Sequence, residues 1–225
     1  TKRPVSLGEG GACTLTLCYL SGMVKMERVS DYVLRPLAQD EALARCGTPR
    51  QAMEEMMGGA LYNLSAAERT TLDEAAFDLV AGWCLLFFPG ESAVLSLFVG
   101  TEEKRSISSP SNETVLKGSR DAFVESLRTN TSIVRRHLKT PELRIREQVV
   151  GRQSVTSVDI LYIEGLTNPH LVEQVAAQLA DIDIDAVLAT GNIEEYIVPA
   201  ARTAFPLVQY TERSDRFCAG LAEGR

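Results

Sequence analysis

Four groups of side chains in this sequence could form a binding or catalytic site. Aspartates alternate with isoleucines in DIDID at residues 181–185. Arginines, a threonine and an asparagine are concentrated in RDAFVESLRTNTSIVRRHLKTPELRIRE at residues 120–147. Two histidines and five cysteines are the remaining candidates. Each group is typical of a different chemistry, and the spacing of the residues separates them.

The DIDID segment places carboxylates at alternate positions, as a calcium-binding loop does. That loop also requires a glycine at its sixth position and a glutamate at its twelfth. Here Ala186 and Asn192 occupy those positions. We therefore expect Ile182 and Ile184 to point into the core while the aspartates stay solvated, without a metal ion.

Catalytic motifs are missing from the sequence. Neither His137 nor His170 has a metal-ligand partner at helical or hairpin spacing, and neither stands near an evident serine or cysteine nucleophile. No G-x-S-x-G or G-x-x-x-x-G-K-[ST] motif occurs, and the glycines at 8, 10 and 11 precede a strand instead of opening a helix. The cysteines lack C-x-x-C spacing, which favours buried free thiols. We expect no enzyme activity, no catalytic residues, no metal and no cofactor.

The arginine-rich segment predicts an amphipathic helix that Ser119 can cap and Pro141 ends. We expect Phe123, Leu127, Val134 and Leu138 to be buried on one face and Arg135 and Arg136 to be mostly exposed. Arg128, Thr129 and Asn130 are candidate contacts to a carboxylate or phosphate, because guanidinium groups bind both in a bidentate manner. The alternative is a solvated face whose arginines pair with Glu125 or with acidic residues elsewhere.

Charge and composition limit the function further. The chain has 225 residues, 45% of them hydrophobic, and a formal net charge of −7. Residues 117–152 carry nine Lys or Arg and four Asp or Glu, so this segment is +5 and the remainder is −12. A local basic face is expected, but the overall charge argues against nucleic-acid binding. The apolar stretch 79–100 is divided by Pro89 and Gly90, which predicts a β-hairpin over 83–99 and not a membrane span.

Strand and helix patterns alternate along the chain. Strands are predicted over 15–20, 83–88, 93–99, 158–163, 182–187 and 207–210. Helices are predicted from Met26 until about Pro36, and over 49–62, 70–81, 119–140, 169–179, 193–198 and 214–222. This alternation predicts the α/β class. The polar stretch 101–114 is the expected boundary between a first subdomain, 1–114, and a second, 115–225.

Two short patterns occur twice. Tyr19, Gly22, Met23 and Val29 match Tyr162, Gly165, Leu166 and Val172 at an offset of 143, and residues 79–82 match 221–224 at an offset of 142. Strand–glycine–helix junctions are common, so coincidence is the alternative to a true repeat. A repeat predicts two similar α/β subdomains flanking a cleft. It also predicts that residue 225 precedes a hairpin equivalent to 83–99 in the second subdomain.

Several long segments resemble the A subunit of the bacterial spore nutrient-germinant receptors, the GerA-type family. They are GSRDAFVESLRTNTSIVRRHLKTPELR (118–144), VDILYIEGLTNPHLVEQV (158–175), DIDIDAVLATGNIEEYI (181–197) and FPLVQYTERSDRFCAGLAEGR (205–225). A weaker match extends over YLSGMVKMERVSDYVLRPL (19–37) and the hairpin before EKRSISSP (103–110). The sequence differs from the family pattern at His137, where the family favours arginine, and at Ser214, where it favours proline.

The resemblance implies the soluble N-terminal domain of a larger membrane subunit that works with B and C subunits in the spore inner membrane. It implies a fold similar to transporter substrate-binding proteins and a role in nutrient sensing and signal transmission for germination. The domain is expected on the cytoplasmic side.

Two alternatives stay open beside signal transmission through subunit contacts: a sensor that binds a small nutrient in the cleft, and a scaffold for homo-oligomers without a ligand. Ligands in open α/β sheets bind outside the carboxyl ends of strands. The candidate ligand or interface residues are therefore Arg128, Thr129, Asn130, Glu164, Asn168, Thr211, Glu212 and Arg213.

Overall fold

The computed structural model describes residues 1–7, 14–61, 65–100, 121–187, 189–198 and 207–225. The chain divides into two compact units, one of Thr1–Lys104 with Lys139–Pro141, the other of Arg105–Leu138 with Glu142–Arg225. The entry-loop glycines, the helix cap expected at Ser119 and the boundary expected within 101–114 lie outside the described residues. The mixed α/β class is confirmed, and the substrate-binding-protein likeness stays a prediction.

Unit 1 contains a five-stranded sheet in which every pair of neighbours is antiparallel. Its strands are β1 (Lys2–Ser6), β2 (Thr14–Cys18), β3 (Ala66–Arg69), β4 (Trp83–Phe87) and β5 (Val94–Phe98), in the order β1-β2-β4-β5-β3. The hairpin predicted over 83–99 is confirmed as β4 and β5, joined through Gly90 with φ 78°. The edge strands β1 and β3 were missing from the sequence prediction.

The helices of unit 1 are α1 (Met26–Val29), α2 (Arg35–Gln39), α3 (Glu41–Ala44), α4 (Pro49–Glu55) and α5 (Leu72–Val80). A π-helical turn, Ser30–Leu34, joins α1 to α2, and a second one, Met56–Ala60, follows α4. The prediction that Pro36 helps to end the first helix is wrong. Pro36 lies in the first turn of α2, where its missing N–H costs little, and the helix continues to Gln39.

The unit 1 sheet is covered on both faces. Leu15 and Leu17 of β2 and Leu86 of β4 belong to a large core cluster with Val29 and Met53 from the helices α1 to α4. The opposite face packs against α5 through a smaller cluster of Ala75, Leu79, Cys18, Leu85, Phe87 and Val94. Because successive strand residues point to opposite faces, Leu85 and Leu86 contribute to different clusters.

The described residues of unit 2 form one antiparallel strand pair, β6 (Leu143–Val150) and β7 (Thr156–Ile163). Its helices are α6 (Leu127–His137), α7 (Pro169–Ala180), α8 (Thr190–Ile197) and α9 (Ser214–Ala222). The predicted bounds of α9 are confirmed. The strands predicted over 182–187 and 207–210 are wrong, since neither segment pairs in a ladder. Instead, the backbone N–H groups of Arg152 and Gln153 donate to the carbonyls of Ile184 and Asp185. The segment 182–187 therefore stabilises the β6–β7 turn through backbone hydrogen bonds.

The core of unit 2 lies between the β6–β7 pair and the helices α6 and α9. Val134, Leu143, Cys218 and Leu221 are buried there, with Phe123, Leu138, Leu161, Ile163 and Phe217 packed against them. Three details of the predicted helix are wrong. Phe123 precedes the helix, which begins at Leu127, and Leu127 itself is half-buried while Ile133 is 1% exposed. Arg135 is half-buried as well, whereas Arg136 is exposed as predicted.

The two Tyr-x-x-Gly junctions have the same local structure, which confirms the predicted order of strand, turn and helix. β2 leads through Gly22 into α1, and β7 leads through Gly165 into α7. Both glycines have positive φ, 87° and 80°, a conformation that a residue with a Cβ seldom adopts. Local turn geometry therefore accounts for the glycine at both positions.

Candidate functional site

Two of the three candidates on α6 are engaged in local structure. Ser126 caps the helix by accepting from the Thr129 backbone N–H, and the Thr129 hydroxyl lies 3.0 Å from Ser126 Oγ. The Asn130 side chain forms two hydrogen bonds with the backbone of Val124, donating from Nδ2 at 2.7 Å and accepting at Oδ1 at 2.8 Å. The Arg128 side chain is exposed and forms no ion pair with a described residue. Of these three residues, Arg128 is available for a partner.

Glu164 and Asn168 lie in the turn between β7 and α7. Glu164 accepts a hydrogen bond from Arg144 Nε at 2.7 Å, and both side chains are more than half exposed. Asn168 is the N-cap of α7 and accepts from the His170 backbone N–H at 3.0 Å. Exposed ion pairs of this kind contribute about 0–1 kcal/mol, so the Arg144–Glu164 pair adds little to the stability of the turn.

Thr211, Glu212 and Arg213 form the approach to α9. Thr211 Oγ1 accepts from the Arg213 backbone N–H at 3.1 Å, and the Glu212 carbonyl accepts from the Phe123 backbone N–H at 2.8 Å. The Arg213 guanidinium is 12% exposed and contacts Asp215, with Nε 3.0 Å from Oδ1. This guanidinium contact, aided by the Arg216 backbone N–H, holds the pKa of Asp215 below its usual range.

These candidates fall into two groups. Backbone hydrogen bonds join residues 121–123, before α6, to residues 212–214, at the start of α9. Glu164 and Asn168 lie near the other end of α9, since the carbonyl of Leu166 adjoins Gly224. The candidates were expected together because the carboxyl ends of parallel strands lie at the same edge of a sheet. In the structure β6 and β7 are antiparallel and 207–210 is not a strand, so this reason does not apply.

A polar cluster of Ser214, His137 and Asp121 could not be seen in the sequence. Ser214 is 0% exposed, and its Oγ donates to the Asp121 carbonyl at 3.0 Å and lies 3.4 Å from His137 Nε2. Ser214 and His137 are 77 positions apart in the sequence, so their contact was not evident there. His137 Nε2 also lies 3.6 Å from Asp121 Oδ2, so both contacts use the same ring nitrogen. A catalytic triad needs the carboxylate on one ring nitrogen and an accessible serine on the other. The cluster therefore joins the start of α9 to the end of α6 as a structural contact.

Ion pairs neutralise part of the predicted basic face of unit 2. Arg146 pairs with Glu173 at 2.9 Å, and Arg152 pairs with Asp183 at 2.7 Å. Asp183 belongs to the DIDID segment, whose aspartates are exposed while Ile182 and Ile184 are half-buried, as predicted. Burial lowers the pKa of Arg135, but an arginine remains charged at neutral pH.

A groove of about 740 Å³ opens between α9 and β7. Its walls include Leu161 of β7 and Phe217 and Leu221 of α9, which make it apolar, and Asp159 provides a carboxyl group. Burial raises the pKa of Asp159, and the negative charge of Glu147 raises it further. The remaining walls are Leu207, Val208, Gln209, Thr211, Arg216, Gly220 and Arg225.

The thiols are inert in the described part of the chain. Cys18, Cys46, Cys84 and Cys218 are free, and burial raises the pKa of Cys84 to about 12 and that of Cys218 to about 11. Thiols with such pKa values are almost fully protonated at neutral pH and react slowly. Within the described residues, no three His, Cys, Asp or Glu side chains are placed to hold a metal ion. None of the described helices has the length and apolar character needed to cross a membrane.

The chain is a two-unit α/β protein whose polar candidates form caps and ion pairs. The family model for the Bacillus/Clostridium GerA spore germination protein matches residues 1–225. The chain therefore belongs to the GerA spore germination protein family.

Similar proteins agree with this family. Spore germination protein KA of Bacillus subtilis (strain 168) is 32% identical over 225 residues, covering 99% of this chain and 40% of the relative. The "Uncharacterized membrane protein YfkQ" of the same organism is 36% identical over 209 residues, covering 93% of this chain and 40% of the relative. The chain thus spans about two fifths of the length of these curated relatives.

A solved structure shares the fold. The crystal structure of the N-terminal domain of the A subunit of the Bacillus megaterium spore germinant receptor GerK3 matches with a TM-score of 0.71 and 28% identity. The match covers 100% of this chain and 81% of that one.

Proposed function

We propose that this chain is the N-terminal domain of a spore germinant receptor A subunit and takes part in nutrient sensing and signal transmission for germination. The whole-chain similarity to the A-subunit domain of GerK3 carries this proposal. The domain acts without enzyme chemistry, within a larger subunit of the spore inner membrane and on its cytoplasmic side. Its partners are the B and C subunits and further copies of the A subunit.

Arg128 is the residue we assign to a partner contact. It lies in the first turn of α6, is exposed, and its guanidinium can bind a partner's carboxylate in a bidentate manner. The candidates at the starts of α6 and α9, Thr129, Asn130, Thr211 and Arg213, support this surface by fixing those helix starts. Asn168 caps α7 away from this surface.

The test uses the full-length subunit in spores that lack the natural copy. Deletion of residues 1–225 should abolish germination triggered by nutrient, while germination triggered without nutrient receptors continues. Arg128→Ala should slow the nutrient response at unchanged subunit abundance. Arg152→Ala is the matched control, because Arg152 is an exposed arginine whose described contact is the ion pair with Asp183. A normal nutrient response with the deleted subunit would disprove the proposed function.

A small-molecule sensor is the second candidate, and the groove favours it. Its volume of about 740 Å³ lies in the range of ligand sites, roughly 300–1,000 Å³, and it combines apolar walls with the carboxyl group of Asp159. Calorimetric titration of the chain with amino acids and sugars separates the candidates. Saturable heat that disappears in Asp159→Ala supports a sensor, and its absence across the panel supports transmission through subunit contacts.

A further inference from the structure

The similarity between the two units extends to individual hydrogen bonds. After β2 the Met23 backbone N–H donates to the Leu20 carbonyl at 3.2 Å, and after β7 the Leu166 N–H donates to the Ile163 carbonyl at 3.2 Å. Gly82, at the end of α5, donates its N–H to the Leu79 carbonyl. Its counterpart at the end of α9 is the bond from Gly224 to Leu221. The two units therefore share a turn and a helix end in the same bonding pattern.

The ends of α5 and α9 also lie against equivalent turns. A Cβ added to Gly82 would lie 3.1 Å from the carbonyl oxygen of Met23, and one added to Gly224 would lie 3.1 Å from that of Leu166. Met23 and Leu166 are themselves counterparts. Accidental similarity of two helix ends would not reproduce this long-range approach, so α5 and α9 occupy equivalent positions beside β2 and β7.

The strands beside these helices differ. In unit 1 the residue after Gly82 opens β4, which runs antiparallel to β2 and pairs Leu85 with Cys18 and Phe87 with Thr16. The other neighbour of β2 is β1, which corresponds to β6. Among the described residues, β7 pairs with β6 alone, so its second edge presents unpaired N–H and C=O groups.

The groove lies where the unit 1 hairpin would be. Ala75, Leu79 and Cys18 contact Leu85, Phe87 and Val94 of that hairpin. Their counterparts in unit 2 are Phe217, Leu221 and Leu161, all three of which line the groove. The described part of unit 2 holds no counterpart of the three hairpin side chains, and open space takes their place.

Gly220 provides a further sign of a missing neighbour. It is an interior residue of α9 and lines the groove, and a Cβ added there would meet nothing within 4 Å. Its counterpart in α5 is Asp78, which is 4% exposed and paired with Arg69 of β3 at 2.7 Å. Glycine inside a helix is unfavourable unless another backbone must come close.

We infer that the groove and the second edge of β7 bind a β-hairpin of the same protein, supplied by the residues that follow position 225 in the full-length subunit. The relatives are long enough to contain it, since the chain matches 40% of their length. The first strand of the hairpin runs antiparallel to β7 and begins with Arg225, the counterpart of Trp83. Its third residue pairs with Leu161 and its fifth with Asp159, as Leu85 and Phe87 pair with Cys18 and Thr16. Both side chains fill the groove.

The first experiment compares this chain with one extended by about 17 natural residues, the length of 83–99. Hydrogen exchange at the β7 amides that point away from β6 should be fast in the shorter chain and slow in the longer one. The melting temperature should rise by at least about 4 °C. Unchanged exchange and an unchanged melting temperature would overturn the inference.

The second experiment fills the groove with a side chain. Gly220→Leu should be tolerated in the shorter chain, because the added atoms meet open space. In the extended chain it should lower the melting temperature and restore fast exchange at β7, since the side chain competes with the hairpin. Gly191→Leu is the control: a Cβ at Gly191 also meets nothing within 4 Å, but Gly191 lies in α8, away from the groove walls. Equal effects of Gly220→Leu in both chains would contradict the inference.

Two other occupants would also be revealed. Protection of β7 that depends on protein concentration, with dimers seen by light scattering of the extended chain, would assign the edge to a second copy. Saturable binding of an amino acid or sugar to the extended chain, abolished by Gly220→Leu, would assign the groove to a nutrient. Either result would overturn the hairpin assignment.

Discussion

Strands β2 and β7 hold equivalent positions in the two units but differ in burial. Leu15 and Leu17 of β2 are 0% exposed, whereas their counterparts in β7, Val158 and Ile160, are only half-buried. β2 is an inner strand of five with helices over both faces, while β7 has one strand neighbour in the described structure. The comparison shows that the same strand–turn–helix pattern yields a full core only when strands on both sides complete the sheet.

Truncation of a core side chain should have the largest effect on the free energy of unfolding. Leu17→Ala should cost about 2–5 kcal/mol because it leaves a cavity in a closed core, while Ile160→Ala should cost less than about 2 kcal/mol. Trp83 is the single tryptophan of the chain and lies in unit 1, so its fluorescence reports unit 1 in urea unfolding and circular dichroism reports both units. Equal losses for the two variants would show that β7 is as closely packed as β2.

The helix-end glycines should respond alike. Gly82→Ala and Gly224→Ala place a Cβ in a backbone of positive φ and 3.1 Å from a carbonyl oxygen, so each should cost about 1–3 kcal/mol in urea unfolding. Gly90→Ala is the control, because its φ is also positive but its Cβ would meet nothing within 4 Å. A Gly224→Ala loss smaller than that of Gly90→Ala would show that the end of α9 is not held as the end of α5 is.

The smallest expected effect depends on pH. The pKa of Asp215 is lowered chiefly by its hydrogen bond from Arg213, so its contribution to stability is present above the unfolded pKa near 3.9. That contribution is lost as the pH falls through the folded value. Asp215→Asn should cost up to about 1 kcal/mol at pH 7, discounted because the carboxylate is partly exposed, and progressively less in acid.

Asp73 provides the control for this measurement. It is the counterpart of Asp215 in the first turn of α5, shares the interaction with the helix dipole, and forms no ion pair with a described residue. Asp73→Asn should therefore cost less stability at pH 7 than Asp215→Asn in urea unfolding. If both variants lose the same stability at pH 7 and at about pH 3, the Arg213–Asp215 pair contributes nothing specific.

Sequence patterns predicted much of the fold where the signal is local. The hairpin over 83–99 was predictable because a Pro-Gly turn separates two apolar runs, and the junction at Gly165 because only glycine suits its positive φ. β6 was not predicted although LRIR alternates apolar and charged residues. Residues 120–147 had been interpreted together as one arginine-rich segment dominated by a helix. The strand predicted over 207–210 failed because an apolar run forms a ladder only where a partner strand is available.

For the candidate site, the sequence by itself determined the residue types and the start of α7 that Asn168 caps, since that contact spans two residues. The cap of α6 was predicted at Ser119, but Ser126 forms it. Only the tertiary structure decided which residues meet. Ser214 reaches His137 across 77 positions. Three hairpin side chains cover α5, whereas the described residues leave open space at the matching place beside α9. The physical reason is that caps and turns depend on local backbone geometry, whereas burial depends on which elements the chain brings back against a given face.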